Sequence, residues 1–486
     1  MATAPPETRP SLLAREHLPF ATGAVALVTL GAFENRAVST VLPTVARDLD
    51  GLWLFGAASA APLVTFVVAT TVAGLWSDRR GPRPVLLAGM ASFVAGQLLS
   101  GLAPTMALFV GGRLLGGLAE GLFDVGLTVL VARALPASLR PKVFATFAAA
   151  WVLPSLLGPS IAGLVAEQVG WRAVFLIGVV LLGPVAALLR PAMSSAPARS
   201  GGSSSGSSSV ASTGVATPAA DGPSQPEGPV PSRAAGWAVV AATGLAALTA
   251  GGSLLPRGGL EGPVGGLLVL VGIAALVPSL RAILPAGTLT GAPGIPALTA
   301  ARGLLGAAFG TTGGLLPLML TEVHHAGPAA AGVSLTITGL FWALGSQVQG
   351  LRVVQDRTSV ATRLRIGFGL LTLGMLGPVA LSLEVVPMWL GLAAWAVAGI
   401  GTGISSPAIS NHVLTLSTEA DQGRNSAASF LAPSVTQAVA FAASGAVIAW
   451  RADQLGGGLF AVIMAGSVAA AAAGLALARR AAGPAA

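Results

Sequence analysis

Six charged side chains stand inside long apolar runs, and their types suit proton chemistry away from bulk water. They are Glu34 and Arg36 in the run 20–43, Arg113, Glu120 and Asp124 in the run 105–134, and Arg302 in the run 294–321. A charge at the centre of a membrane-spanning helix costs about 2.5–3.5 kcal/mol on insertion scales, so it normally faces a cavity or a partner. At about 100° per residue, Arg113, Glu120 and Asp124 fall within roughly 40° of one another, with Gly117 on the same stripe. Glu34 would lie about 21 Å along an outward-running span and Arg113 about 12 Å along an inward-running one, so the two would meet near the bilayer middle. Glu34 is therefore the leading candidate for a proton-binding acid, with Arg113 as its charge partner and Asp124 as the second candidate. Glu120 is weaker, because Asp124 repels it across one helical turn. Arg36 completes the expected cavity set. Burial disfavours a carboxylate's charged form and a nearby arginine favours it, so an acid whose arginine contact changes between two states takes up and releases a proton. The alternative is that Glu34–Arg113 and Arg36–Asp124 are fixed ion pairs that only hold helices together.

Other candidates carry less. Arg302, near the inner end of its run, is expected to snorkel to the interface. His324 and His325 beside Glu322 are expected to be solvated in a short outer loop rather than to bind a metal. His412 with Asn411 reads as structural. Most of the tryptophans are expected near span ends, as in an interfacial belt. The sequence contains no cysteine, no Gly-rich nucleotide loop, no HExxH and no nucleophile–base pair. An enzyme, a resident cofactor and a metal site are accordingly not expected.

The elements that must position these residues are long helices. Of the 486 residues 53% are hydrophobic and 9% charged, too few charges to cover a soluble surface. The apolar runs are about 20 residues long, which spans ~30 Å of hydrocarbon as a helix. Spans are expected at 20–43, 53–76, 84–102, 105–134, 143–167, 171–190, 236–255, 262–283, 294–321, 329–350, 361–383, 388–412, 425–450 and 457–478. The expected fold class is an all-α polytopic membrane protein with two six-helix bundles and two extra transmembrane helices between them. The corresponding domains are 1–190, a Ser/Gly/Pro-rich linker at 191–234, the extra pair at 235–285, and the second bundle at 286–486. Losing both helices of the extra pair together would preserve the charge asymmetry between the two sides, so twelve spans are the alternative to fourteen. The polar N-terminus, Met1 to Pro19, does not resemble a cleaved signal peptide.

Charge asymmetry sets the orientation. With both termini in the cytoplasm, nineteen basic residues fall inside and four outside, and Arg36, Arg113 and Arg302 lie within spans. The net charge of +8 does not point to nucleic acid, because the arginines are spread among loops. The excess of Arg over a single Lys, Lys142, suits a GC-rich bacterial genome. A bacterial cytoplasmic membrane and a monomer are expected.

Three short motifs sharpen the reading. The loop after the second span runs Gly74-Leu75-Trp76-Ser77-Asp78-Arg79-Arg80-Gly81-Pro82-Arg83. It resembles the loop motif of the major facilitator superfamily at Gly74, Asp78, Arg79, Gly81 and Arg83, and departs from it at Trp76 and Pro82. The fifth span runs Pro154-Ser155-Leu156-Leu157-Gly158-Pro159-Ser160-Ile161-Ala162-Gly163. It is similar to the antiporter motif of the same superfamily, with Pro154 and Ala162 replacing glycines. Trp171-Arg172 follows, and Glu34 to Pro43 resembles the first span of the fourteen-span drug:proton antiporters, although Arg36 stands where a threonine is usual. Arg113 matches the family's membrane arginine. A faint echo of the loop, Gly350-Leu351 with Asp356-Arg357, suits a fold of two repeated halves.

The resemblance implies conformational gating by Gly74, Asp78, Arg79, Gly81, Arg83, Gly158, Pro159 and Gly163. It also implies a proton-coupled exporter of lipophilic small molecules, with protons and the lipid bilayer as its other partners. Export of a lipid or a defined metabolite is the alternative, and a membrane sensor or enzyme fits less well.

Overall fold

The computed structural model describes residues 18–135, 139–195, 232–418, 421–452 and 454–481. Most of the expected linker, 196–231, and most of the polar N-terminal segment lie outside the described residues. Among the described residues there are seventeen α-helices: α1 Leu18–Asp48, α2 Phe55–Arg80, α3 Pro82–Gly101, α4 Met106–Ala134, α5 Arg140–Ala150, α6 Val152–Gln168, α7 Trp171–Ser195, α8 Ser232–Leu254 and α9 Glu261–Ile283, followed by α10 Ile295–Leu305, α11 Thr311–Val323, α12 Pro328–Gly350, α13 Arg352–Arg357, α14 Val360–Ser382, α15 Met388–Leu416, α16 Gln422–Trp450 and α17 Gly457–Leu477. There is no strand among the described residues. A single π-helical turn, Gly306–Gly310, joins α10 to α11.

Thirteen of the helical stretches are long and apolar enough to cross a membrane. The fifth expected span corrects the reading of an unbroken helix at 143–167. It divides at Trp151 into α5, 11 residues, and α6, 17 residues. Pro154 supplies the reason: it has no N–H to give to the Ala150 carbonyl, and its ring crowds that carbonyl. The sixth span also continues as α7 to Ser195, past the expected boundary at 190.

Each half is organised round one small-residue helix. In the first half this is α4, whose start is fixed by Thr105 accepting a hydrogen bond from the Leu108 N–H. Gly112 of α4 sits against Gly96 and Ser100 of α3, and Gly117 and Gly121 sit against Pro62 and Ala69 of α2. In the second half α15 does the same, with Gly399 against Thr338 of α12 and Gly401 against Gly367 of α14. Lipid gives helices no hydrophobic drive to associate, so such close backbone approach supplies the van der Waals contact that holds them. The extra pair packs on itself through Gly244–Gly272 and Gly251–Gly265. Its α8 lies along α2 and α16, while α9 turns apolar side chains such as Leu267 and Leu270 outward.

The halves meet along two seams, α2 with α16 and α6 with α12. On the first, Gly56 and Gly445 touch backbone to backbone. On the second, Gly163 lies on Ala329, and Gly332 lies on the Pro159 carbonyl. Polar contacts reinforce this end. Arg47 Nε pairs with Glu322 Oε1 at 2.8 Å, and Ala329 N–H donates to Glu167 Oε1 at 2.9 Å. Trp171 and Arg172 both donate to Asp48 Oδ2, at 3.0 and 3.1 Å, and so tie α7 to the end of α1.

Candidate functional site: a charged central cavity

A cavity of about 2560 Å³ lies between the halves. It runs from Leu42 and Ser59, beneath the closed end, to Asp78, Arg133 and Arg424 at the opposite end, where Asp78 is exposed. The chain therefore adopts a state sealed at the Arg47–Glu322 end and open at the loop end.

Glu34, Arg36, Arg113, Glu120 and Asp124 all line this cavity. Arg113 Nη1 donates to Glu34 Oε1 in an ion pair whose side chains are 8% and 15% exposed. Glu120 is half-buried and lies within electrostatic reach of Glu34, Arg113, Asp124 and Arg36. Asp124 is open to the cavity and makes no ion pair among the described residues. The alternative pair Arg36–Asp124 is thus not formed. Arg36 instead points its guanidinium at the Trp342 ring of the opposite half, 6.0 Å from the centroid, and its Nε is buried without a partner. Gly117, expected on the polar stripe, is turned into α2, and Gly116 faces the cavity instead. The stripe reading places a residue only to within the width of the helix face, and the close α2–α4 contact decided the rotation.

Arg302 corrects a second expectation. It does not snorkel: it is 8% exposed, donates to Ser410 Oγ, and has its guanidinium 4.3 Å from the Phe430 ring centroid. The side chain turns inward because α15 and α16 offer a hydroxyl and an aromatic face there. Trp342 and Trp395 also depart from the interfacial belt. They sit in mid-helix and line the cavity with Phe309, which stacks on Trp395 at 5.1 Å and meets Trp342 edge-on at 5.9 Å. Their mid-run positions were the available signal, but three separate helices contribute to the group and only packing assembles it. His324 Nε2 donates to the Leu381 carbonyl at 2.9 Å, and no cluster of three metal-ligating side chains occurs among the described residues.

The loop-motif residues surround the open end. Gly81 has φ of 81°, in the region that favours glycine, and a Cβ added there would lie 3.2 Å from Arg133 Nη1. Arg133 also donates to the Ser77 carbonyl at 3.3 Å, which ties α4 to the end of α2. Gly74 and Asp78 line the cavity, Asp78, Arg79 and Arg83 are exposed, and Asp78 enters none of the ion pairs among the described residues. On α6, Gly158 faces Phe33 and Arg36 of α1, and Pro159 and Gly163 face α12.

The chain is similar to known proteins in part of its sequence and in its fold. The chain is 28% identical over 156 residues to the multidrug transporter protein MdtP of Bacillus subtilis (strain 168), covering 32% of this chain and 29% of that protein. It is 29% identical over 175 residues to the probable multidrug-efflux transporter Rv1634 of Mycobacterium tuberculosis (strain H37Rv), covering 36% and 37% respectively. The similar stretch thus spans about a third of these relatives. Among solved structures, the POT family transporter PepTSo superposes with a TM-score of 0.62 at 13% identity, over 94% of this chain and 97% of that one. An auto-inhibited POT family peptide transporter gives 0.64 at 14%, over 95% and 96%. At that identity the likeness is one of fold. Residues 24–440 match the family model of the Major Facilitator Superfamily, and the chain is a member of that superfamily.

Proposed function

We propose that this protein is a proton-coupled exporter of lipophilic small molecules that works by alternating access. The observation that carries the reading is the Glu34–Arg113 ion pair, buried in the wall of a cavity that the two halves enclose. Counting the loop arginines puts the open end in the cytoplasm, so the cavity stands ready to load from inside a bacterial cell membrane. The multidrug-efflux relatives and the motif on α6 support outward rather than inward transport.

In the proposed cycle substrate enters from the cytoplasmic side and lies against the aromatic wall of Phe309, Trp342 and Trp395. The seams that seal the far end then part, and the loop end closes round Gly74, Asp78, Arg79, Gly81 and Arg83. Gly158, Pro159 and Gly163 let α6 slide on α12, because small residues leave no side-chain ridge to climb. On the outer side Glu34 exchanges its Arg113 contact for a proton, and substrate leaves. The protonated acid returns inward, meets Arg113 again and releases the proton. Asp124, already open to the cavity, is the relay towards the cytoplasm, with Glu120 between them. One proton moving down ~150 mV contributes about 3.5 kcal/mol, enough for a gradient of a few hundred-fold. The protein acts as a monomer.

The test is transport by purified protein in liposomes with an imposed pH gradient, using a lipophilic dye and a pH-sensitive probe. Substrate and proton should move in opposite directions, and Glu34→Gln and Asp124→Asn should each abolish or strongly reduce coupled proton movement. Coupling unchanged in both variants removes the mechanism.

A further inference from the structure

The charges on the cavity wall are divided unequally between the halves. All four acids that line it, Glu34, Asp78, Glu120 and Asp124, come from the first half. The second half contributes only cations, Arg302 and Arg424. Arg424 is 76% exposed at the rim and pairs with Asp421 at 3.0 Å, so its charge is already met. Arg302 is different. It is more than nine-tenths buried, faces the cavity, and has no carboxylate within ion-pair distance among the described residues. Its partners are the Ser410 hydroxyl and the Phe430 ring.

A guanidinium has five N–H donors in a planar fork that matches a carboxylate or sulfonate, and one hydroxyl and a ring face leave most of that capacity free. A buried cation without a counter-ion is costly, and an anion brought in from the cavity relieves the cost. The surroundings define what the anion carries. The opposing half sets four acids against three arginines, Arg36, Arg113 and Arg133, an excess of one negative charge that disfavours a second charge on the anion, while Phe309, Trp342 and Trp395 offer stacking faces to a flat apolar body. We propose that Arg302, with Ser410 and Phe430, forms the recognition site for the acidic group of an amphipathic organic monoanion whose apolar body lies on the aromatic wall. This deepens the exporter reading above and rests on it for the cavity being the substrate's path. It narrows the substrate class from lipophilic compounds in general to those bearing one carboxylate or sulfonate.

A matched set of probes tests it: 2-naphthoate, the neutral 2-naphthamide and the cationic 2-naphthyltrimethylammonium share one apolar body. Binding to the full-length protein in lipid nanodiscs is read by equilibrium dialysis at neutral pH in gluconate buffer, then with added chloride. The wild type should prefer 2-naphthoate to 2-naphthamide by about tenfold or more, the size of a charge-assisted pair. Arg302→Gln should erase that preference, Arg302→Lys should retain part of it, and Ser410→Ala should weaken it. 2-Naphthamide, whose amide gains only a neutral hydrogen bond there, should lose far less than 2-naphthoate in all three, and tryptophan-fluorescence melts near that of the wild type report that the variants are folded. A naphthoate preference that survives Arg302→Gln overturns the proposal. So does a preference for the cationic probe in the wild type. Chloride that competes at low millimolar concentration while 2-naphthoate gains nothing over 2-naphthamide reveals an inorganic-anion site and overturns it equally. No proton gradient enters this measurement. Loss of proton coupling with the naphthoate preference intact therefore defeats only the transport cycle, and coupled efflux of neutral dyes without the preference defeats only the anion site.

Discussion

Glu34→Gln keeps the size and hydrogen-bonding reach of the side chain and removes its charge, leaving Arg113 in the cavity wall without its ion-pair partner. Breaking a buried ion pair by deleting one member costs about 3–5 kcal/mol, because the remaining charge is left uncompensated. Two features of this site lower that figure. Glu34 is 15% exposed, so water reaches part of the pair. Glu120 is within electrostatic reach of Arg113 and supplies some replacement charge. The expected cost is therefore about 2–3 kcal/mol, which for a bundle of roughly 200 residues lowers the melting temperature by about 4–12 °C. The double variant Glu34→Gln/Arg113→Gln leaves no orphan charge and should fall by less than the single variant. The double variant Glu34→Gln/Glu120→Gln removes the cushion as well and should fall further. The assay is thermal unfolding of detergent-solubilised protein followed by tryptophan fluorescence. If Glu34→Gln and Glu34→Gln/Arg113→Gln melt at the same temperature, Arg113 is not held by Glu34 and the coupling reasoning is refuted.

Three further perturbations probe the states of the fold, and the absence of native cysteine makes labelling straightforward. Gly56→Leu drives a side chain into the Gly445 backbone, so the α2–α16 seam cannot close. Spin labels at Asp50→Cys and Ala326→Cys should then report a longer distance across the far end, and an unchanged distance argues against that seam as the closure. The Arg47–Glu322 pair is partly exposed, with side chains 44% and 14% accessible. Glu322→Gln should therefore cost less than about 1 kcal/mol and shift the same label distance only modestly, with the effect fading in high salt and restored by the charge-swapped pair Arg47→Glu/Glu322→Arg. Gly81→Ala forces a Cβ into φ of 81° and against Arg133, which should destabilise the α2–α3 turn by about 1 kcal/mol or more and slow substrate efflux from liposomes. Efflux at the wild-type rate would separate that turn from the transport cycle.

The sequence by itself determined the helical class, most of the spans, the extra pair and the placement of Glu34, Arg36, Arg113, Glu120 and Asp124 inside spans. These follow from quantities that are local to the chain: hydropathy over one span length, and the high cost of a charge in hydrocarbon, which leaves an embedded Glu or Arg few places to go. Tertiary structure decided the rest. It chose Glu34 as the partner of Arg113, left Arg36 facing Trp342 rather than Asp124, and rotated Gly117 into α2. It turned Arg302 inward, where sequence position alone suggested the interface. It gathered Phe309, Trp342 and Trp395 from three helices into one wall. The physical reason is common to these cases. A helix period states which residues share a face, but neighbouring backbones, brought close by small residues on α4 and α15, fix where that face points. Which charges meet across the cavity depends on those rotations, and no spacing along one chain segment encodes them.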